Sequence, residues 1–201
     1  MADGDTRIQK DRRARILDAG LDVFAAEGFR GATLDGIASA AGLSKPNLLY
    51  YFAGKDAVYT ALLDQLLDTW LDPLRALDPG GVPLDEMLGY VRRKLALARD
   101  FPRESRLFAG EILRGAPVMG GALAGDLRRL VDDRAGVIGG WMEAGRLAHS
   151  DPHHLIFSIW ALTQHYADFD VQVRAVLGEN RDPWAEAERE VERHFKRVLS
   201  A

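Results

Sequence analysis

Three groups of side chains in this sequence have types and spacings that could do chemistry. The first is Ser44, Lys45, Pro46, Asn47, Tyr50 and Tyr51, with Thr33 upstream and Lys55 downstream. A lysine ammonium donates to guanine O6 or N7, and an asparagine amide offers a paired donor and acceptor that match the edge of adenine. The second group is Trp70, Phe108, Trp160, Thr163 and Gln164. Flat apolar walls with a few placed polar groups describe a small-molecule pocket, and a glutamine amide can meet both a donor and an acceptor on a ring. The third group is His149, His153 and His154, followed by the pair His165 and Asp168.

The third group supports no reaction. His149 precedes Pro152, which opens a helix, so the three histidines do not share a face, and no HExxH-type carboxylate accompanies them as base. His165 and Asp168 have no recognisable nucleophile or oxyanion element around them, which makes a polar network in a core or interface the simpler reading. The chain contains no cysteine, which removes disulfides, cysteine-ligated metals and thiol catalysis. No enzyme activity, metal or cofactor is expected.

The elements that position the first two groups are helices. Apolar residues recur at helical spacing, no stretch alternates strictly as a half-buried strand would, and breakers at Gly28 to Gly31, Gly42, Ala53 to Gly54, Pro79 to Pro83, Gly115 to Pro117, Gly145 to Pro152 and Gly178 to Pro183 leave about nine helices. Asp151-Pro152 and Asp182-Pro183 each pair a capping carboxylate with a proline whose missing donor costs nothing in a first turn. The run 152–177 is apolar around most of its circumference, and the last helix carries a narrower stripe at Trp184, Ala187, Val191, Phe195 and Val198.

The block 33–55, TLDGIASAAGLSKPNLLYYFAGK, reads as a helix-turn-helix. Ile37, Ala38 and Ala41 face one way on a short helix, Gly42 supplies a turn tolerant of positive φ, and Leu43 tucks back. Ser44 caps the next helix, and Leu48 and Phe52 anchor it at i to i+4, leaving Lys45, Pro46, Asn47 and Tyr51 open to a major groove.

The net charge of -4 argues against a protein that coats nucleic acid over its whole surface. The first 56 residues balance acid and base and the acid excess follows them, while Arg7, Lys10, Arg12, Arg13 and Arg15 form a local basic run. The polar opening MADGDTRIQKDRRAR contains no apolar signal core, and no window holds about eighteen uninterrupted apolar residues. The expectation is a cytoplasmic protein without a membrane partner.

Residues 9–56 resemble the N-terminal domain of the TetR family of regulators, through Phe24-Ala25-Ala26-Glu27-Gly28-Phe29, Gly31-Ala32-Thr33, Ile37-Ala38, Ala41-Gly42-Leu43-Ser44, Tyr51-Phe52 and Lys55. That resemblance implies an all-α, TetR-like fold: a three-helix helix-turn-helix domain over 1–56 and a larger effector-binding and dimerisation domain over 57–201. It places Ser44, Lys45, Pro46 and Asn47 at base-facing positions and Thr33, Tyr51 and Lys55 at phosphate-contacting ones, with Tyr50 in the same DNA-facing set. Leu49 stands where the family often has an aromatic, open to a thymine methyl or to packing.

Further along, Ile138-Gly139-Gly140-Trp141, His154-Leu155-Ile156-Phe157 and Trp160 to Phe169 resemble the pyrimidine-utilisation regulators of that family, which implies uracil or thymine as effector. Trp160, Thr163 and Gln164 share a helical face suited to an imide edge, with Trp70 and Phe108 as further walls. The same residues also fit a core of tryptophans with a satisfied amide. The partners expected are palindromic double-stranded operator DNA, a small-molecule effector, and a second copy of the chain bound through the last two long helices. A regulator with a different apolar or aromatic ligand, and a helical interaction module without DNA binding, remain the alternatives.

Overall fold

The computed structural model describes residues 7–201; the first six residues of the polar opening lie outside them. The secondary structure of the described residues is all helical: α1 (Arg7–Gly31), α2 (Leu34–Ala40), α3 (Lys45–Tyr51), α4 (Lys55–Arg75), α5 (Pro83–Asp100), α6 (Pro102–Leu113), α7 (Gly120–Ala122), α8 (Arg128–Glu143), α9 (Pro152–Asp168), α10 (Asp170–Leu177) and α11 (Pro183–Leu199), joined by turns and short loops. A π-helical turn, Leu123–Leu127, joins α7 to α8 without a break, so these three form one continuous rod. The expected long helix over 152–177 is divided at Phe169, whose φ of -115° and ψ of 29° leave the helical region. Neither glycine nor proline marks that break in the sequence.

The chain packs as two units. One takes the chain up to Leu67 together with Arg106–Val118; the other takes Asp68–Ser105 and Met119–Ala201. Residue 56 lies in the first turn of α4, and that helix runs on past Leu67. The last turns of α6 belong with the N-terminal helices, a placement no local sequence signal announces.

In the first unit, Ile16, Phe24, Ile37, Leu48, Val58 and Leu63 are buried almost completely. Gly20 lets α1 approach α4, because a Cβ there would stand 2.8 Å from Val58 Cγ1. Glu111 on α6 is fully buried. It accepts from the Tyr59 hydroxyl at 3.0 Å, from Arg114 at 2.7 Å and from the Val118 N–H at 2.7 Å. Burial first, and then the Glu111 carboxylate, push the Tyr59 phenol up to about 12.

In the second unit, α5, α8, α9 and α11 enclose Leu74, Met87, Tyr90, Val91, Ile138, Trp141, Ile156, Ile159 and Phe195. Both aspartate caps form as the sequence implies. Asp151 accepts from the N–H groups of His153 and His154, and Asp182 from those of Trp184 and Ala185. The buried stripe of α11 is Ala187, Val191, Phe195 and Leu199, a strict i to i+4 register, so Val198 turns outward and Leu199 takes its expected place.

Candidate DNA interface and effector site

The α2–α3 corner is built by local hydrogen bonds. Thr33 caps α2, its hydroxyl oxygen accepting from Gly36 N at 3.0 Å, and Ser44 caps α3 by accepting from Asn47 N at 3.4 Å. Between them Gly42 adopts a φ of +66°, and Leu43 N donates to Ala38 O at 2.9 Å, which closes α2 in a Schellman-type turn. Leu48 and Phe52 are sealed beneath α3. Arg15 donates to Ala41 O at 2.9 Å, and the Arg13 guanidinium lies over the Phe52 ring at 4.2 Å while donating to Tyr51 O. Part of the basic run therefore fastens α1 to the corner.

The opposite side of α3 is open. Ser44, Lys45, Pro46, Asn47, Leu49 and Tyr50 are exposed and Tyr51 is half-buried, its ring edge-on to Tyr50 at 5.0 Å. Among the described residues the Asn47 side-chain amide holds no intramolecular hydrogen bond. The Lys45 ammonium pairs with Asp35 at 2.9 Å, both side chains reaching solvent. Lys55 behaves differently from a free cation: its ammonium donates to Phe29 O at 2.8 Å and Ala32 O at 2.9 Å and lies over the Phe29 ring. It ties the end of α1 to the start of α4, and a phosphate contact from its side chain would have to share those bonds.

The second unit holds four of the five expected effector residues. Trp70 is buried near the end of α4, and Trp160 is half-buried on α9 with its indole N–H donating to the Tyr90 hydroxyl at 2.6 Å. Thr163 is fully buried, but its hydroxyl proton is spent on Ile159 O at 2.7 Å within its own helix. Gln164 is half-buried, and among the described residues its amide has no hydrogen bond. Phe108, half-buried on α6, belongs to the first unit.

Sequence reasoning missed the most unusual group in this unit. Lys94 on α5 is 2 % exposed, its ammonium 5.2 Å from the centre of the Trp70 ring. Burial pushes it down from 10.5 to about 7, opposed by the Asp168 carboxylate on α9. Asp168 itself accepts from the Ser105 hydroxyl at 2.5 Å. Tyr90 and Lys94 lie one turn apart on α5, and Trp160, Gln164 and Asp168 one turn apart on α9, so one polar strip runs along the seam of the two helices. A signal was present: Lys94 interrupts the stripe Met87, Leu88, Val91, Leu95 and Ala98, all buried, where α5 has no other cation.

His153 Nε2 pairs with Asp132 at 2.9 Å, and the His165 ring stacks on Phe169 at 5.1 Å while Asp168 engages Ser105. No described helix is long and apolar enough to cross a membrane.

Comparison with known proteins gives matches along nearly the whole chain. Residues 16–62 match the family described as bacterial regulatory proteins, tetR family, and residues 63–200 match the C-terminal region of YcdC-like proteins. The HTH-type transcriptional regulator RutR of Escherichia coli K12 is 50% identical over 173 residues, covering 86% of this chain and 82% of its own. A tetR-family regulatory protein from Rhodococcus RHA1 superposes with a TM-score of 0.74 at 21% identity, over 94% of this chain and 97% of that one. The putative transcriptional regulator SCO4942 from Streptomyces coelicolor gives 0.66 at 24% identity, over 93% and 97%. The chain belongs to the TetR family of bacterial regulatory proteins.

Proposed function

We propose that this protein is a ligand-responsive transcriptional regulator that binds a palindromic operator as a homodimer and is released from it by a pyrimidine base, uracil or thymine. The observation that carries the DNA reading is the open polar side of α3, with Lys45, Asn47 and Tyr50 outward while Leu48 and Phe52 hold the helix down. Lys45 and Asn47 supply base-edge contacts, and Thr33, Tyr51 and Lys55 set register on phosphates. Two copies of α3 on a two-fold axis meet half-sites about 34 Å apart, or a multiple of that.

The dimer reading rests on apolar groups left uncovered in the second unit. Phe157, Leu162 and Phe169 on or beside α9, Val171 and Val176 on α10, and Val198 on α11 all reach solvent. A self-complementary face made from the last helices would cover them in a closed pair.

The effector reading rests on the Trp70, Trp160 and Gln164 constellation and on the sequence resemblance to pyrimidine-utilisation regulators. An indole wall and an unengaged amide suit a flat ring with an imide edge. Because α4 carries Lys55 and Tyr59 in one unit and Trp70 in the other, a ligand that favours one placement of α4 biases the DNA-binding end. Ligand and operator then oppose each other by equal factors. The test is calorimetry of the purified protein with uracil and thymine, paired with mobility shifts on an operator fragment across a salt series. Binding to DNA that weakens steeply with salt, and is relieved by the base, is the expected result. Absence of heat with both bases removes the effector assignment, and absence of a shift at low salt removes the regulator reading.

A further inference from the structure

A buried amine needs a reason. Lysine is among the residues least often fully buried, because taking an ammonium out of water costs several kcal/mol unless acceptors replace the solvent. Lys94 is 2 % exposed, and among the described residues its ammonium makes no hydrogen bond; its company is the face of Trp70 and, electrostatically, Asp168.

The groups around it are committed elsewhere. On α5, the Tyr90 hydroxyl accepts from Trp160 and Arg93 reaches the Pro73 carbonyl. From α9, Asp168 is held by the Ser105 hydroxyl of α6. From α11, Glu192 and Glu188 pair with Arg92 and Arg99. From α4 comes the Trp70 ring, while Asp68 pairs with Arg75. Among the described residues, Asp168 is the charge that acts on Lys94.

We propose that Lys94 donates to a carbonyl oxygen of the effector, as a specificity-determining residue in the same pocket as Trp70, Trp160 and Gln164, and that effector binding takes up one proton at this amine. The inference rests on the pyrimidine reading above. An effector oxygen supplies the acceptor that the fold withholds, so the bound state favours the ammonium and the empty state tolerates the neutral amine. With an empty-state value of about 7, most copies are unprotonated in mildly alkaline solution, and each binding event then draws a proton from buffer. The ring selected is one that presents a carbonyl acceptor towards Lys94 and an imide edge towards Gln164. A base with an exocyclic amine in place of that carbonyl would set donor against donor.

The experiment uses the full chain and uracil as probe. Calorimetric titrations in phosphate and in Tris, whose ionisation heats differ, are run from pH 6 to 9. The expected result is an affinity that falls by up to about tenfold per pH unit above pH 7, with buffer-dependent heats that report proton uptake. Lys94→Met keeps the aliphatic volume and removes the donor, and it is expected to lower uracil affinity about 10- to 100-fold at pH 7 and abolish the pH slope. The same variant is expected to melt at a higher temperature than the parent without ligand, because a poorly accommodated charge is gone. A structural lysine would give the opposite shift. Lys94→Gln, which keeps a neutral donor, is expected to retain more affinity than Lys94→Met with an equally flat pH profile. Uracil binding by the parent protein with no pH dependence and no buffer-dependent heat overturns the inference and leaves the pyrimidine reading standing. No uracil binding by the parent at any pH overturns both.

Discussion

Replacing Asp35 by asparagine is expected to strengthen operator binding, although it touches a residue assigned no contact with DNA. Asp35 holds the Lys45 ammonium at 2.9 Å, with 47% and 70% of the lysine and aspartate side chains exposed. Exposed pairs of this kind are worth about 0.2–1 kcal/mol, which is what DNA must overcome to recruit the lysine. A two-fold dimer recruits two, so the variant gains about 0.4–2 kcal/mol, equivalent to about 2- to 25-fold in affinity at 1.4 kcal/mol per decade. Loss of the carboxylate's own repulsion of phosphate acts in the same direction. The gain shrinks with added salt, since exposed charges are screened over about 8 Å at physiological ionic strength. The assay is fluorescence anisotropy of a labelled palindromic duplex over a salt series. Lys45→Met serves as the background in which Asp35→Asn loses most of its benefit. Equal or weaker binding of the asparagine variant at low salt would refute the placement of Lys45 at the DNA.

Three further outcomes follow from the packing. Gly20→Ala should lower the melting temperature even though alanine is the better helix former by about 1 kcal/mol, because the added methyl would stand 2.8 Å from the stiff Val58 side chain; a rise in a thermal melt would show that α1 and α4 can separate without cost. Tyr59 ionises in the unfolded chain near 10.0 and in the folded one at about 12, so stability is unaffected below pH 10 and falls as pH climbs to 12. Tyr59→Phe should lose its share of that alkaline slope in chemical denaturation and be less stable by about 1 kcal/mol at pH 7, with the buried Glu111 keeping its other donors. Leu162→Glu puts a charge on an exposed apolar position of α9 and should shift sedimentation from dimer to monomer while leaving the far-UV helix signal intact; an unchanged dimer would move the interface away from α9.

The sequence disclosed those parts of the fold that depend on neighbours along the chain. Both Asp-Pro starts, the Gly42 turn and the Leu48 and Phe52 anchors are local devices, each complete within a few residues, and each forms as read. The rest is decided by residues distant in the chain. The break at Phe169 has no local breaker, the last turns of α6 join the N-terminal unit through the buried Glu111 cluster, and α11 buries Leu199 rather than Val198 because its strict four-residue register continues to the end. Lys55 has the charge for a phosphate contact, yet two backbone carbonyls already accept from it, and carbonyl positions are a property of the fold rather than of the residue string.

The same division separates the candidate DNA face from the candidate effector site. Base readout uses exposed side chains on one short helix, so spacing within seven residues decides which point outward. The proposed effector site draws on residues of α4, α5 and α9 that lie far apart in the chain, and Lys94 was hidden by a sound rule applied too broadly: lysines belong at the surface. What separates Lys94 from the other cations of α5 is its phase. Arg92, Arg93 and Arg99 fall outside the buried stripe, whereas Lys94 falls within it, three residues after Val91 and four before Ala98. A charged residue in phase with an apolar stripe is destabilising wherever it serves only packing. In Lys94 that phase match coincides with 2 % exposure, and the two together are what the proposed effector contact rests on.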